Sequence, residues 1–169
     1  MITNALLDHA GLVPPALLLL AAGCVLVGSM LLRTRDAGRR PLLALLVLSL
    51  LPVLALTLVP AARARGDGPA CTVQFALPSL GSVELLANLA LFVSPAFAAT
   101  LLTRRPLLVL GGAVGASGVI ETLQALLPAL DRACDTNDWA MNTAGAGVGV
   151  LLALGTLILS RRHTPTTSP

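Results

Sequence analysis

Apolar residues in this chain fall into five long runs, each closed by arginine or by a polar, proline-bearing turn. That pattern leaves few folds open. Leu12 to Leu32 ends at Arg33-Thr34-Arg35, and Leu42 to Pro60 begins after Arg39-Arg40-Pro41. Val83 to Leu102 stops at Arg104-Arg105-Pro106, Leu107 to Leu127 at the polar stretch Pro128 to Asp138, and Trp139 to Ser160 at Arg161-Arg162-His163. A helix of about 20 residues rises ~30 Å, the thickness of a bilayer's hydrocarbon core. Helix is the form such runs must take, because backbone N–H and C=O groups in lipid have to be satisfied within the segment. The expected fold class is therefore an all-α membrane protein, a bundle of about five transmembrane helices. It forms a single domain over residues 1–160, with spans at 12–32, 42–60, 83–102, 107–127 and 139–160. A disordered cytoplasmic tail is expected over 161–169.

Composition closes other routes. Charged residues make up only 11% of the chain, against about 25% in a soluble domain. The net charge is +3, all 11 basic residues are arginine, and there is one Trp and no Tyr. Without an aromatic platform for stacking bases, no nucleic-acid partner is expected. The arginines mark orientation instead. Arg33, Arg35, Arg39, Arg40, Arg104, Arg105, Arg161 and Arg162 flank one side of the predicted bundle, and only Arg63, Arg65 and Arg132 the other. This bias puts the N-terminus outside and the C-terminus in the cytoplasm. The first run lacks the basic start of a secretory signal and reads as a span. Pro52 and Pro95 lie inside spans and predict kinks or local unwinding. Cys71 and Cys134 fall in the two outside loops, where they can pair as a disulfide; the alternative is two unrelated thiols. No cysteine or histidine spacing suits a metal, and no cofactor is expected.

The informative residues are polar ones where polarity is expensive. An ionisable side chain in a lipid-facing helix costs about 2.5–3.5 kcal/mol on insertion scales. Glu84 and Asn88 share a face near the start of the third span; Ser117, Glu121 and Gln124 share one in the fourth. Asp135, Asp138 and Asn142 run into the fifth span, and Gly145 and Gly149 continue their face. Counted from the outer surface at 1.5 Å per residue, Glu121 lies roughly 9 Å down and Asn88 and Asn142 roughly 6–8 Å. Three helices thus bring polar faces to one level, which predicts an outward-opening pocket lined by Asn88, Glu121, Gln124, Asp138 and Asn142. Plainer readings stand beside it. The asparagines can act as interhelical glue, and Asp135 or Asp138 can cap the fifth span. Gly145 and Gly149, like Gly111 and Gly115, have the GxxxG spacing of close helix contacts, which leaves an oligomer through glycine faces open.

The run Glu121-Thr122-Leu123-Gln124, then Arg132, Asp135, Asp138, Asn142, Gly145 and Gly149, resembles the VanZ-like family of bacterial membrane proteins. That family's pattern is E-x-x-Q, a turn with Arg, then D-x-x-D-x-x-x-N-x-x-G-x-x-x-G. Asn88 to Phe92 is similar to its N-x-x-x-F helix start. Ser94 and Ala96 stand where the family carries Pro and Gly, with Pro95 shifted by one. The resemblance covers about residues 42–160. It implies a multi-pass protein of the bacterial plasma membrane and cell envelope, whose namesake is linked to resistance to teicoplanin, a lipoglycopeptide antibiotic.

Three functions follow as expectations. The first is a non-enzymatic envelope protein whose pocket binds a membrane lipid, a lipid-linked cell-wall precursor or a lipoglycopeptide. Glu121, Asp135 and Asp138 would meet cationic or hydroxyl groups, and Arg132 an anionic one. The second is a membrane enzyme using those carboxyl groups on a lipid-linked substrate; against it, His9 and His163 lie near the termini. The third is a small transporter subunit, although no inverted repeat is visible.

Overall fold

The computed structural model describes residues 10–33, 39–59, 71–75, 83–130 and 132–162. Five long helices carry the fold: α1 (Val13–Arg33), α2 (Arg39–Leu58), α3 (Val83–Thr103), α4 (Pro106–Leu126) and α5 (Thr136–Arg162). All five are long and apolar enough to cross a membrane. Two short strands, β1 (Cys71–Thr72) and β2 (Cys134–Asp135), pair in parallel at one end of the bundle. That end also holds the C-termini of α2 and α4 and the N-termini of α1, α3 and α5.

The helix ends differ from the sequence expectation for physical reasons. Helix α2 begins at Arg39 rather than at Leu42, since Pro41 sits in the first turn, where a missing N–H costs nothing. Helix α5 begins at Thr136 and runs to Arg162. Arg161 and Arg162 are therefore helical and not the start of a disordered tail; long arginine side chains let a helix continue past the apolar core. The rest of the expected tail, 163–169, lies outside the described residues. Unwinding at Pro52 and Pro95 is not found, for α2 and α3 stay helical across both. Each proline withdraws a single backbone donor, which a packed membrane helix tolerates.

Helices α3 and α5 form the central pair, with α2 on α3, α4 on α5, and α1 across both. Half of the most apolar stretch of α3 is buried, against 6% for α1, so α3 is the core helix and α1 the outermost. Small residues set the spacing. A Cβ built on Gly145 would lie 2.9 Å from the carbonyl carbon of Leu89 and closer still to its oxygen. One built on Gly149 would meet the Val93 carbonyl oxygen and lie 3.0 Å from the Phe97 nitrogen. Backbone touches backbone along this seam, with Ala146 and Ala153 fully buried beside it. Gly28 seats α1 against a side chain instead, for an added Cβ would be 2.6 Å from Cζ of Phe97. The second GxxxG behaves differently. Gly111 and Gly115 face open space, because the inner face of α4 is the polar one.

Candidate functional site

The site is built at the end of the bundle where the strands pair. Cys71 and Cys134 lie opposite each other in the two strands and form a disulfide, with Cα atoms 4.5 Å apart. Gln74 extends this stitch. Its backbone N–H donates to Thr136 Oγ1 at 2.9 Å, Thr136 Oγ1 donates back to its carbonyl at 2.8 Å, and its side-chain amide donates to Asp135 Oδ2 at 2.6 Å. The start of α5 is thereby fixed against the segment that follows α2.

Asp135 ends up outside the pocket predicted for it. Its Oδ1 accepts from the backbone N–H of Asn137 at 2.8 Å, the geometry of an N-cap on α5. Its other oxygen is taken by Gln74. Both carboxylate oxygens face the helix start and the strand segment, so Asp135 is absent from the cavity wall. Only its backbone reaches inward, donating N–H to Glu121 Oε2 at 2.8 Å.

The inner face of α4 carries Ser117, Glu121 and Gln124, which are 0%, 9% and 6% exposed. They are affordable there because each has a partner across a helix boundary. Ser117 Oγ accepts from Asn142 Nδ2 of α5 at 2.9 Å. Gln124 Nε2 donates to the carbonyl of Thr57 in the last turn of α2 at 3.0 Å, and Arg132 Nε donates to that of Val59 at 3.3 Å. A helix end leaves its last carbonyls without intrahelical partners. Gln124 and Arg132 therefore close α2 while they border the site. Between α3 and α5, Asn88 Nδ2 donates to Asp138 Oδ1 at 2.5 Å.

Asn88, Glu121, Gln124, Arg132, Asp138 and Asn142 line one cavity of about 60 Å³, with Leu56, Thr57, Ala87 and Leu91. This is room for a few waters or one compact polar group. Its donors are partly engaged: one N–H of the Asn88 amide on Asp138, one of the Gln124 amide on Thr57, and Arg132 Nε on Val59, which leaves the Nη groups of Arg132 outside these bonds. Its acceptors are in surplus. Glu121 and Asp138 each have a carboxyl oxygen beyond the one already engaged. Asn142, 2% exposed, has an Oδ1 with no hydrogen-bond partner. With the amide turned over, Ser117 would serve the oxygen and leave the Nδ2 group without its partner, so one side of this amide goes unmet either way. Among the described residues, no three His, Cys, Asp or Glu side chains converge as a metal-ligand set.

Thr57 was not foreseen. It is the only polar residue in the last turns of α2, yet it contributes a backbone carbonyl, while its hydroxyl donates to Val53 O at 2.6 Å. Glu84, on the same α3 face as Asn88, is exposed and does not line the cavity.

A family model described as VanZ/LLP1 matches residues 20–159. The chain belongs to the VanZ/LLP1 family. The match begins inside α1, well before residue 42, where the motif resemblance starts, so all five helices share in it. No curated protein and no solved structure matches the chain. With five apolar helices, this VanZ/LLP1 protein is a multi-pass membrane protein. The residues that carry the motif resemblance take three places: Glu121, Gln124, Arg132, Asp138 and Asn142 surround the cavity, Asp135 caps α5, and Gly145 and Gly149 hold α5 against α3.

Proposed function

We propose that this VanZ/LLP1 protein resides in the bacterial plasma membrane, N-terminus outside and C-terminus in the cytoplasm. It binds its ligand without converting it. The cavity at the disulfide end takes the polar head of a membrane amphiphile: a lipid, a lipid-linked cell-wall precursor, or one group of a lipoglycopeptide. A volume of about 60 Å³ admits a head group and excludes a whole lipoglycopeptide. An effect on teicoplanin susceptibility would on this reading come from occupancy by the antibiotic's own amphiphilic part or by a precursor it shares the membrane with.

The observation that carries the proposal is the unmet side of the Asn142 amide, a residue almost fully buried and set in the wall beside Glu121 and Asp138. A buried polar atom left unsatisfied costs about 1–3 kcal/mol. Such an atom facing a polar cavity points to something that completes it. Binding is favoured over catalysis by the wall itself. Its described residues include no His, Cys or Ser, and the hydroxyl of Thr57 is committed to Val53.

Native mass spectrometry of the protein released from membranes tests the reading. The wild type is expected to retain an amphiphile that Asn142→Leu and Asp138→Asn lose, while Leu108→Ala, on the exposed face of α4, retains it. An identical set of bound lipids in all four proteins would refute it.

A further inference from the structure

The polar cavity adjoins a larger space. Between α1, α2 and α3 lies a groove of about 580 Å³, within the ~300–1,000 Å³ range of small-molecule sites. Leu17 and Leu20 of α1, Pro52 of α2, and Leu86 and Ala90 of α3 are among its walls. Among the described residues, its polar lining side chains are Ser49 and Ser94. Both are occupied within the protein: Ser49 Oγ donates to Leu46 O at 2.8 Å, and Ser94 Oγ lies 3.7 Å from Cys24 Sγ in a hydrogen bond. The groove therefore offers a ligand apolar surface alone. It follows α1 from Val13 to Leu20 and α3 from Val83 to Ser94, lengths of roughly 10 and 16 Å at 1.5 Å per residue.

Leu56, Ala87 and Leu91 line the groove and the polar cavity alike. An apolar slot and a pocket of unused acceptors thus share a wall, at one end of the bundle. We infer that the two form one site for an amphiphile bearing a primary ammonium, its acyl chain lying between α1, α2 and α3 and its head passing Ala87 into the cavity. This rests on the head-group reading above and adds to it the tail's location and the head's chemistry. A donating, cationic head is favoured because two carboxyl groups, Glu121 and Asp138, each with an oxygen beyond its one bond, face a single guanidinium, Arg132. An ammonium supplies three donors and a positive charge opposite two carboxyl groups, which a hydroxyl does not. A phosphate could meet the single guanidinium of Arg132, but its negative charge would face the two carboxyl groups of Glu121 and Asp138.

Three photoreactive probes of equal chain length, each with a diazirine in its tail, separate the possibilities: a long-chain primary amine, the matching alcohol and the matching phosphate monoester. The protein is held in phosphatidylcholine nanodiscs, and the crosslinked residues are mapped by mass spectrometry. The amine is expected to label Leu17, Leu20, Leu86 and Ala90 at least tenfold above the outward residues Leu51 and Leu54. The alcohol labels them less and the phosphate without preference. Ala87→Phe, at an exposed position, closes the junction and lowers groove labelling by the amine at least tenfold. Asn142→Leu does so by removing a polar group of the cavity wall, and Ala90→Phe repeats the test from within the groove. If Asn142→Leu abolishes amine binding but the labels fall away from the groove and Ala87→Phe has no effect, the inference is overturned and the head-group site survives. If no variant matters and labels spread evenly, both fall. Phosphate labelling of the groove equal to that of the amine would overturn the ammonium assignment.

Discussion

Gly145 offers the sharpest test of how this bundle is held together. Its Cα faces the backbone of Leu89, and a methyl group there would lie 2.9 Å from the Leu89 carbonyl carbon and nearer to the oxygen. Neither partner is a flexible side chain that can swing aside. Relief requires α3 and α5 to part by about an ångström, which loosens the tightest seam of a close-packed interior. Overpacking of this kind typically costs about 1–3 kcal/mol, or roughly a 5- to 140-fold change in the folding equilibrium constant. Gly145→Ala should therefore unfold at lower denaturant in a mixed-micelle titration followed by circular dichroism. Gly111→Ala is the internal control. Its added methyl group meets nothing within 4 Å, and alanine is the better helix former by about 0.8–1.0 kcal/mol in a helix interior. That variant should be as stable as the wild type or more so. If Gly145→Ala and Gly111→Ala behave alike, the backbone contact between α3 and α5 is not what fixes their spacing, and the account of the central pair fails.

Thiol counting checks the disulfide: with three cysteines in the chain, maleimide should label one site, Cys24, in the denatured unreduced protein and all three after reduction. Labelling of all three without reductant would remove the link between β1 and β2. Glu121→Gln keeps an oxygen for the N–H of Asp135 and should change stability by less than about 1 kcal/mol, whereas Glu121→Leu strands that donor and should cost about 1–3 kcal/mol. Equal losses in the same micelle titration would show that the hydrogen bond is not the stabilising element. A fluorescent protein that matures only in the cytoplasm should glow when fused after Pro169 and stay dark when fused before Met1, as the arginine bias requires. The reverse pattern would turn the cavity to the other face of the membrane.

The five helices could be read from the sequence because lipid permits little else, and because arginines mark where each run meets water. Their ends were less legible. Capping by Asp135, a proline inside the first turn of α2 and arginine at the end of α5 all shift a helix boundary without changing the apolar pattern. Most of the cavity wall was legible as well, through helical spacing combined with depth: Asn88, Glu121, Gln124, Asp138 and Asn142 line a common space. The spacing also swept in Asp135, which shares their pattern but spends both oxygens on a helix start and on Gln74. Thr57 and Val59 escaped notice because they act through carbonyl oxygens, which every residue has and no sequence pattern marks. Gly111 and Gly115 repeat the spacing of Gly145 and Gly149 with none of the contact. What decides between the two pairs is the helix opposite, and a local motif does not carry that.

The polar residues of this bundle divide by what their neighbours leave unmet. Gln124 and Arg132 finish the carbonyls at the end of α2, Glu121 holds the N–H of Asp135, and Asp138 takes the amide of Asn88. These pairs join four helices and suffice to explain a polar layer as structural glue. Glue alone does not explain the rest. Three buried side-chain atoms among the described residues lack a partner: Thr100 Oγ1, Thr143 Oγ1 and Asn142 Oδ1. Of their residues only Asn142 borders the cavity. A threonine hydroxyl in a helix can turn to its own i−4 carbonyl, as Thr103 and Thr156 do, so the two threonines have an internal remedy. Asn142 has none, because Ser117 serves one side of its amide in either orientation and the other side goes unmet, in a residue that lines the cavity with Glu121 and Asp138. If packing were the whole purpose, a leucine at 142 would fill the space without an unmet polar atom, the Ser117 hydroxyl turning to its own i−4 carbonyl, and Asn142→Leu should then stabilise the protein. Loss of a bound amphiphile together with that gain in stability would separate function from packing in a single variant.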